Sequence, residues 1–481
     1  MSVLKDLQPT NVFKFFEELC QIPHGSKNEK VISDYLVNFA KERNLEVIQD
    51  KALNVIIKKA ATEGYENAPT VIIQGHMDMV CEKTSDSDHD FEKDPLELRI
   101  IDGKVYATNT TLGADNGIAV AYGLALLDSK DMHHPAIEFV ATTDEETGMG
   151  GAEALDTKDL KGKILLNIDS EEQGIFLVSC AGGITKKVYL PCNWEKNENT
   201  TLKLEVTALK GGHSGMEIIK QRGNANKLMG RLLYVISKEV NFNISSLNGG
   251  AKHNAIPRHC ETIITLNDKD VEKVKALVKE FDATFKNELR VQDKDVSAVA
   301  TDIAKVEEHL TNDTTCKLIS LLNLIPDGIQ AMSNDIEGLV ETSLNVGVIS
   351  TSRESVEFVA AIRSAVRSSK YALSDKLDNL AQLVGAKVEI ESEYPEWQYN
   401  PDSKIRDLCV NVYKEVTGQA AQVSAIHAGL ECGLLMEKMQ GTDMISFGPD
   451  LADVHTPNEH MNIESVATIW NFLKALLENI K

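Results

Sequence analysis

Val71-Ile-Ile-Gln-Gly-His76-Met-Asp78 is a short apolar run that stops at a histidine and an acid. Two further stretches end the same way: Ile137-Glu-Phe-Val-Ala141 leads into Thr142-Thr-Asp144-Glu145-Glu146, and Lys163-Ile-Leu-Leu-Asn-Ile168 leads into Asp169. Runs of this length and composition predict buried strands. Between the first two lies Asn116 to Leu127, rich in alanine and glycine with Ile118, Val120 and Leu124, which predicts a tightly packed helix. Strands alternating with helices imply an α/β core with a mixed, largely parallel sheet and helices on both faces. In open sheets of this kind ligands bind beyond the C-terminal ends of the strands. His76, Glu145, Glu146 and Asp169 all fall there.

Outward from this core the rhythm changes. From about 183 to 394 strands such as Thr201 to Ala208 and Val356 to Ile362 mix with helices near Asn224 to Val240 and Val271 to Leu289, an α+β pattern. Long helices return after Trp397, including Ile463 to Ile480 behind the cap Asn462. With 481 residues the chain exceeds what one hydrophobic core holds. The expected map is therefore an α/β domain of 1–182 and 395–481, with an α+β lid of 183–394 inserted. Near the start, Ser26-Lys-Asn-Glu29 has the form of a capping box, followed by Val31, Ile32, Tyr35, Leu36 and Phe39 at helical spacing.

Composition excludes several classes of function. Lys and Arg number 50 against 73 for Asp and Glu, and the net charge of −23 would repel a phosphate backbone. No nucleic-acid partner is expected. No uninterrupted apolar stretch of about 18 residues occurs, so neither a membrane span nor an export signal is expected. The eight cysteines form no CxxC pair and read as reduced thiols, which points to a cytoplasmic protein. Gly148-Met-Gly-Gly151 lacks the lysine of a phosphate-binding loop.

Taken singly, each acid or histidine is weak evidence, and most of the acidic excess is solvated surface. The combination carries the chemistry. His76 and Asp78 share one face of an extended chain. A metal-bound imidazole commonly donates its other ring N–H to a carboxylate, so Asp78 suits the orientation of His76 or of a neighbouring group. Three consecutive acids, Asp144 to Glu146, follow a buried strand, and packed carboxylates need cations. Asp115, beside the Asn116-Gly117 turn signal, reads by itself equally well as a helix cap.

His76-Met-Asp78, Gly113-Ala-Asp115-Asn-Gly, Asp144-Glu-Glu146-Thr-Gly, Asn167-Ile-Asp169 and His455-Thr-Pro-Asn-Glu459 resemble, in chain order, the five metal-site motifs of the aminoacylase, peptidase T and carnosinase superfamily. Gly211-Gly-His213-Ser-Gly, Arg222-Gly-Asn-Ala, His253-Asn254-Ala-Ile-Pro257 and Ala425-Ile-His427-Ala-Gly-Leu-Glu-Cys-Gly433 are similar to its aminoacyl-histidine dipeptidase branch. The resemblance spans essentially the whole chain. It implies two divalent metal ions, one held by His76, Asp115 and Asp169, the other by Asp115, Glu146 and His455. It further implies Glu145 as general base toward a metal-bridged water, Asp78 as a supporting carboxylate, and a cis peptide after Asp115. In the inserted segment it implies His213 as oxyanion stabiliser, with Asn254, Arg363 and the Ala428-Gly429 backbone binding the substrate's C-terminal end.

A nitrogen and oxygen donor set without thiolate suits zinc, with manganese or cobalt as alternatives. The implied activity is hydrolysis of small peptide substrates, chiefly dipeptides of broad sequence, with Xaa-His such as carnosine favoured. An N-acyl-amino-acid deacylase or a tripeptidase on the same metals is the alternative. A catalytically inert binding protein is disfavoured by the intact Glu145 and ligand set. The native metal, the preferred residue and the oligomeric state stay open, a homodimer included.

Overall fold

A computed structural model describes residues 2–481. The three apolar runs form strands β1 (Val71–His76), β2 (Ile137–Thr142) and β3 (Ile164–Asn167), and a late segment adds β4 (Asp443–Ser446). These four lie side by side in the order β2, β1, β3, β4, all parallel, at the centre of an eight-stranded sheet. Antiparallel strands Val55–Lys59 and Glu46–Gln49 extend it beyond β2, and Ile175–Cys180 runs antiparallel to β4. β1 and β2 are buried along their whole length, which accounts for their continuous apolar sequence.

Helix α1 (Ala114–Asp128) is buried nearly all round. It packs so close to β1 that a Cβ on Gly75 would lie 2.4 Å from both Ala119 Cβ and Asn116 Oδ1. Tyr122 of α1 bonds Val466 O (2.9 Å) and stacks on Trp470, both in helix α3 (Ile463–Asn479). Gln74, whose side chain points to the opposite face from Gly75, meets helix α2 (Glu431–Lys438) through Glu431. The mixed sheet thus carries helices on both faces. Asn462 caps α3 by accepting from Ser465 N, as its sequence predicts.

The chain divides into two compact units. One runs up to Ser179 and adds Tyr399–Ala425 and Leu430–Lys481; the other is Cys180–Gln398 plus Ile426–Gly429. The sequence map differs by a few residues at each boundary and omits the short return at 426–429. That return has a local cause: Ala181 N bonds both Ile426 O and Ala428 O. The second unit is built on a nine-stranded sheet with its own apolar core, running from Ile184 to Ala381. Its strand Thr200–Thr207 alternates buried and half-buried residues, as expected of an antiparallel sheet covered on one face.

The capping box expected at Ser26 does not form. The helix there begins at Lys30 without a side-chain cap, because Ser26 and Glu29 are engaged elsewhere. Among the described residues no helix is long and apolar enough to cross a membrane, and none of the eight cysteines is in a disulfide.

Candidate metal centre

The polar residues that end β1, β2 and β3 converge with Asp115 and His455 in the first unit. His76 sits on the last position of β1, 1% exposed. Its Nδ1 lies 3.0 Å from the backbone carbonyl of Asp78, which fixes that nitrogen as the donor. In the neutral ring Nε2 is then the lone-pair nitrogen, and it faces Asp115 Oδ1 at 3.2 Å and Asp169 Oδ1 at 3.5 Å. Three acceptors aimed at one point ask for a cation. His455 Nε2 stands 3.1 Å from Asp115 Oδ2 and 3.0 Å from Glu146 Oε1, and Glu146 Oε1 is buried without a hydrogen bond. Asp115 therefore offers one oxygen to each imidazole.

The ligand atoms of His76, Asp115 and Asp169 lie within 4.8 Å of one another, as do those of Asp115, Glu146 and His455. His76, Glu145 and Glu146 form a third such group. The carboxylates Asp115, Glu145, Glu146 and Asp169 carry the charge that two divalent ions would balance, so the donor set fits such a pair. Burial, with the neighbouring charges of Asp115 and Glu146 adding to it and His76 opposing, pushes Asp169 up to about 6, and burial lifts Glu145 well above the usual carboxylate range. The carboxylates of Asp115 and Glu146 beside its Nε2 raise His455 to about 11. Burial works against the proton on His76, yet Asp115, Asp169 and Asp78 outweigh it and hold that imidazole protonated. Protons serve where cations would.

What holds the acid loop is a second set of carboxylates. Asp78 Oδ1 accepts from Glu145 N (3.1 Å) and Oδ2 from Glu146 N (3.3 Å) and from Ser26 Oγ (2.8 Å). Glu29 Oε1 accepts from Asp144 N (3.0 Å). Three successive acids thus have their amides fixed by two buried acids. Asp78 mainly orients Glu145 and Glu146; its Oδ1 lies 3.4 Å from His76 Nδ1, which bonds the Asp78 carbonyl instead. The peptide between Asp115 and Asn116 is cis, as the resemblance implies.

Below the strand ends, Gln74 Nε2 (2.6 Å) and Thr142 Oγ1 (2.8 Å) donate to Glu431 Oε2, and Asn167 Nδ2 donates to Gln74 Oε1 (2.6 Å). Burial pushes Glu431 up to about 7. Ser26, Glu29, Gln74 and Glu431 escaped the sequence reading. Glu431 lies within the Ala425–Gly433 motif but drew no role there, and Ser26 and Glu29 left the capping-box pattern, whose polar groups were assigned to the wrong partner.

In the second unit, His213, Arg363 and His427 gather around Gly215. A Cβ there would lie 2.4 Å from His427 O, 3.1 Å from His213 Cε1 and 3.2 Å from Arg363 Nε. Arg363 is 9% exposed; Nη1 donates to Tyr394 Oη (2.7 Å) and Nε has no partner. No carboxylate pairs with it among the described residues. His427 bonds Ser343 Oγ (2.8 Å) through Nε2, and burial, with Arg363 adding, lowers it to about 3. Asn254 joins this group through its carbonyl, which accepts from Ser214 N (2.9 Å), and Gly429 lies two residues beyond His427. A further exposed group, Glu205, His259 and Glu261, already has its cation, because Lys203 Nζ lies 2.9 Å from both acids.

Residues 72–479 match the model of peptidase family M20/M25/M40. The chain is 40% identical to the cytosol non-specific dipeptidase of Escherichia coli (strain K12), over all of this chain and 99% of that one. The crystal structure of an aminoacylhistidine dipeptidase from Vibrio alginolyticus superposes with a TM-score of 0.96 at 39% identity, covering 100% of this chain and 98% of that one. Aminopeptidase PepT from Bacillus cereus ATCC 10987 shares the fold, with a TM-score of 0.57 at 17% identity over 98% of this chain and 99% of that one.

Proposed function

Since the chain belongs to peptidase family M20/M25/M40, we propose that its two Asp115-sharing triads serve the hydrolysis of dipeptides. It is a peptidase of the dipeptidase kind, as its full-length similarity to two dipeptidases supports. The observation that carries the mechanism is Asp115 presenting one oxygen toward each histidine. His76, Asp115 and Asp169 would hold one ion, and Asp115, Glu146 and His455 the other, zinc being the metal proposed. When bound, such a pair polarises the scissile carbonyl and lowers the pKa of water from about 15.7 toward about 7.

The chain's own groups do the rest. Glu145, on a loop pinned by Asp78, takes the proton of the attacking water and passes it to the leaving amine. Its burial favours holding that proton between the two transfers. His213 donates to the developing oxyanion. Arg363, a buried cation without an acidic partner, receives the substrate's C-terminal carboxylate, assisted by Asn254 and the Gly429 backbone. Tyr394 can only accept from the guanidinium, so it holds the fork in place. A preference for Xaa-His substrates and a cytosolic setting are part of this reading; eight cysteines without a disulfide among them support the latter.

Rates on Ala-His, N-acetyl-His and a tripeptide, each with zinc, manganese or cobalt added, test it. Fast cleavage of Ala-His alone is expected. Preference for N-acetyl-His would make the protein a deacylase, and preference for the longer peptide a tripeptidase.

Arg363→Ala is expected to lower kcat/KM on free-acid dipeptides roughly 10- to 150-fold, the value of about 1.5–3 kcal/mol for a hydrogen bond to a charged group. Dipeptide amides should be poor substrates already, and the substitution should barely change them. Equal losses on both would reassign Arg363 to the support of the fold.

A further inference from the structure

We infer that Glu459 is a positioning residue for the metal pair, its buried carboxylate setting where Asp115 and His455 stand. Glu459 Oε2 accepts from Leu112 N (2.7 Å) and Gly113 N (3.0 Å), and Oε1 from Ala114 N (2.8 Å) and Asp115 N (3.3 Å). Four successive amides close on one carboxylate that is 2% exposed. The backbone is shaped for it: Gly113 has φ of +68°, and Asp115 and Asn116 are not yet helical, so these amides face away from any helical acceptor. Gly113, at the N-cap of α1, has no side chain of its own with which to cap these amides. A concave run of N–H groups of this kind is an anion nest, and here the anion is part of the chain.

The other end of Glu459 belongs to the turn that carries His455. Glu459 N bonds Thr456 O (3.0 Å), and Asp453 and His455 both have positive φ, so the segment from Asp453 to Glu459 is a tight loop. The His455 side chain is 49% exposed and has little packing of its own. Asp115 and His455 thus both depend on Glu459. His76 and Asp169 do not, since one ends β1 and the other stands two residues past β3, each fixed by the register of the parallel strands.

That asymmetry makes the inference specific. Removing the nest should weaken the ion held by Asp115, Glu146 and His455 more than the ion held by His76, Asp115 and Asp169. Glu459→Gln keeps the volume and one acceptor oxygen while turning an amide NH₂ toward two of the N–H groups.

The inference rests on the two-ion reading, and one experiment separates their failures: zinc titration of the purified full-length chain against a competing chelator, without substrate. The unaltered protein should take up two ions. In Glu459→Gln one of them should bind about 10- to 100-fold more weakly, the usual effect of removing a group that orients metal ligands, and the other should change less. Amides of Leu112 to Asp115 should exchange slowly with deuterium in the metal-free unaltered protein and fast in the variant. Two unchanged affinities, or two affinities lowered equally, would overturn the positioning role while leaving the two-ion reading intact. Rapid exchange of these amides in the unaltered protein would overturn it even if the variant failed to fold. A single ion in the unaltered protein would overturn both readings.

Discussion

Glu145→Gln should leave the metal content unchanged and lower kcat by about 10²–10⁴-fold, the usual contribution of a positioned acid or base. Glutamine has the same shape and cannot take a proton. Glu145 belongs to neither triad that shares Asp115, and the loop that bears it is held through backbone N–H groups, which the substitution does not touch. Asp115→Ala should act in the opposite way, losing metal and activity together, because it removes the one carboxylate common to both triads. Metal analysis of the two variants beside their turnover numbers decides the point. If Glu145→Gln loses the ions and Asp115→Ala keeps them, the two roles must be exchanged.

The second large effect is expected at His213. Its Nδ1 accepts from Gly215 N (3.2 Å) and Met216 N (3.1 Å), so the ring proton sits on Nε2. Burial, and then Arg363, lowers its pKa, so the ring is a neutral donor with one tautomer enforced. That is the form an oxyanion partner needs, since no proton has to be rearranged as charge develops. His213→Ala should reduce kcat by about 10²–10³-fold, raise KM much less and leave bound metal untouched. A dominant KM effect would place the histidine in ground-state binding instead. Mixing His213→Ala with Glu145→Gln protein shows which chain the histidine serves, because recovered activity requires it to act across a dimer.

Much of this arrangement was legible from the sequence because strand ends in a parallel sheet point their last residues at one edge. The runs before His76, Glu145 and Asp169 located that edge without any knowledge of tertiary contacts. Asp78 was legible as an orienting carboxylate; the other supporting groups were not, and the reason is distance along the chain. Glu459 binds amides more than three hundred residues away, and Glu431 meets Gln74 across a similar span. Ser26 misled for a related reason. Its spacing to Glu29 satisfied a local rule, yet Ser26 donates to the Asp78 carboxylate and Glu29 accepts from the Asp144 amide of the acid loop.

β4 lies between β3 and Ile175–Cys180, and Asn167 is in register with Ser446. During synthesis the growing sheet must wait for that strand. The roughly 280 residues between those partners take about 14–56 s to emerge at ~5–20 residues per second. Throughout that interval β3 presents an open edge of the kind that invites wrong pairing. The inserted unit, with a separate core, can finish first and occupy the wait. His455 comes later still, so on the proposed reading the triad of Asp115, Glu146 and His455 is incomplete until that residue has emerged. A chain cut before Asp443 should therefore be an aggregating protein rather than a weak enzyme, since β3 keeps its open edge.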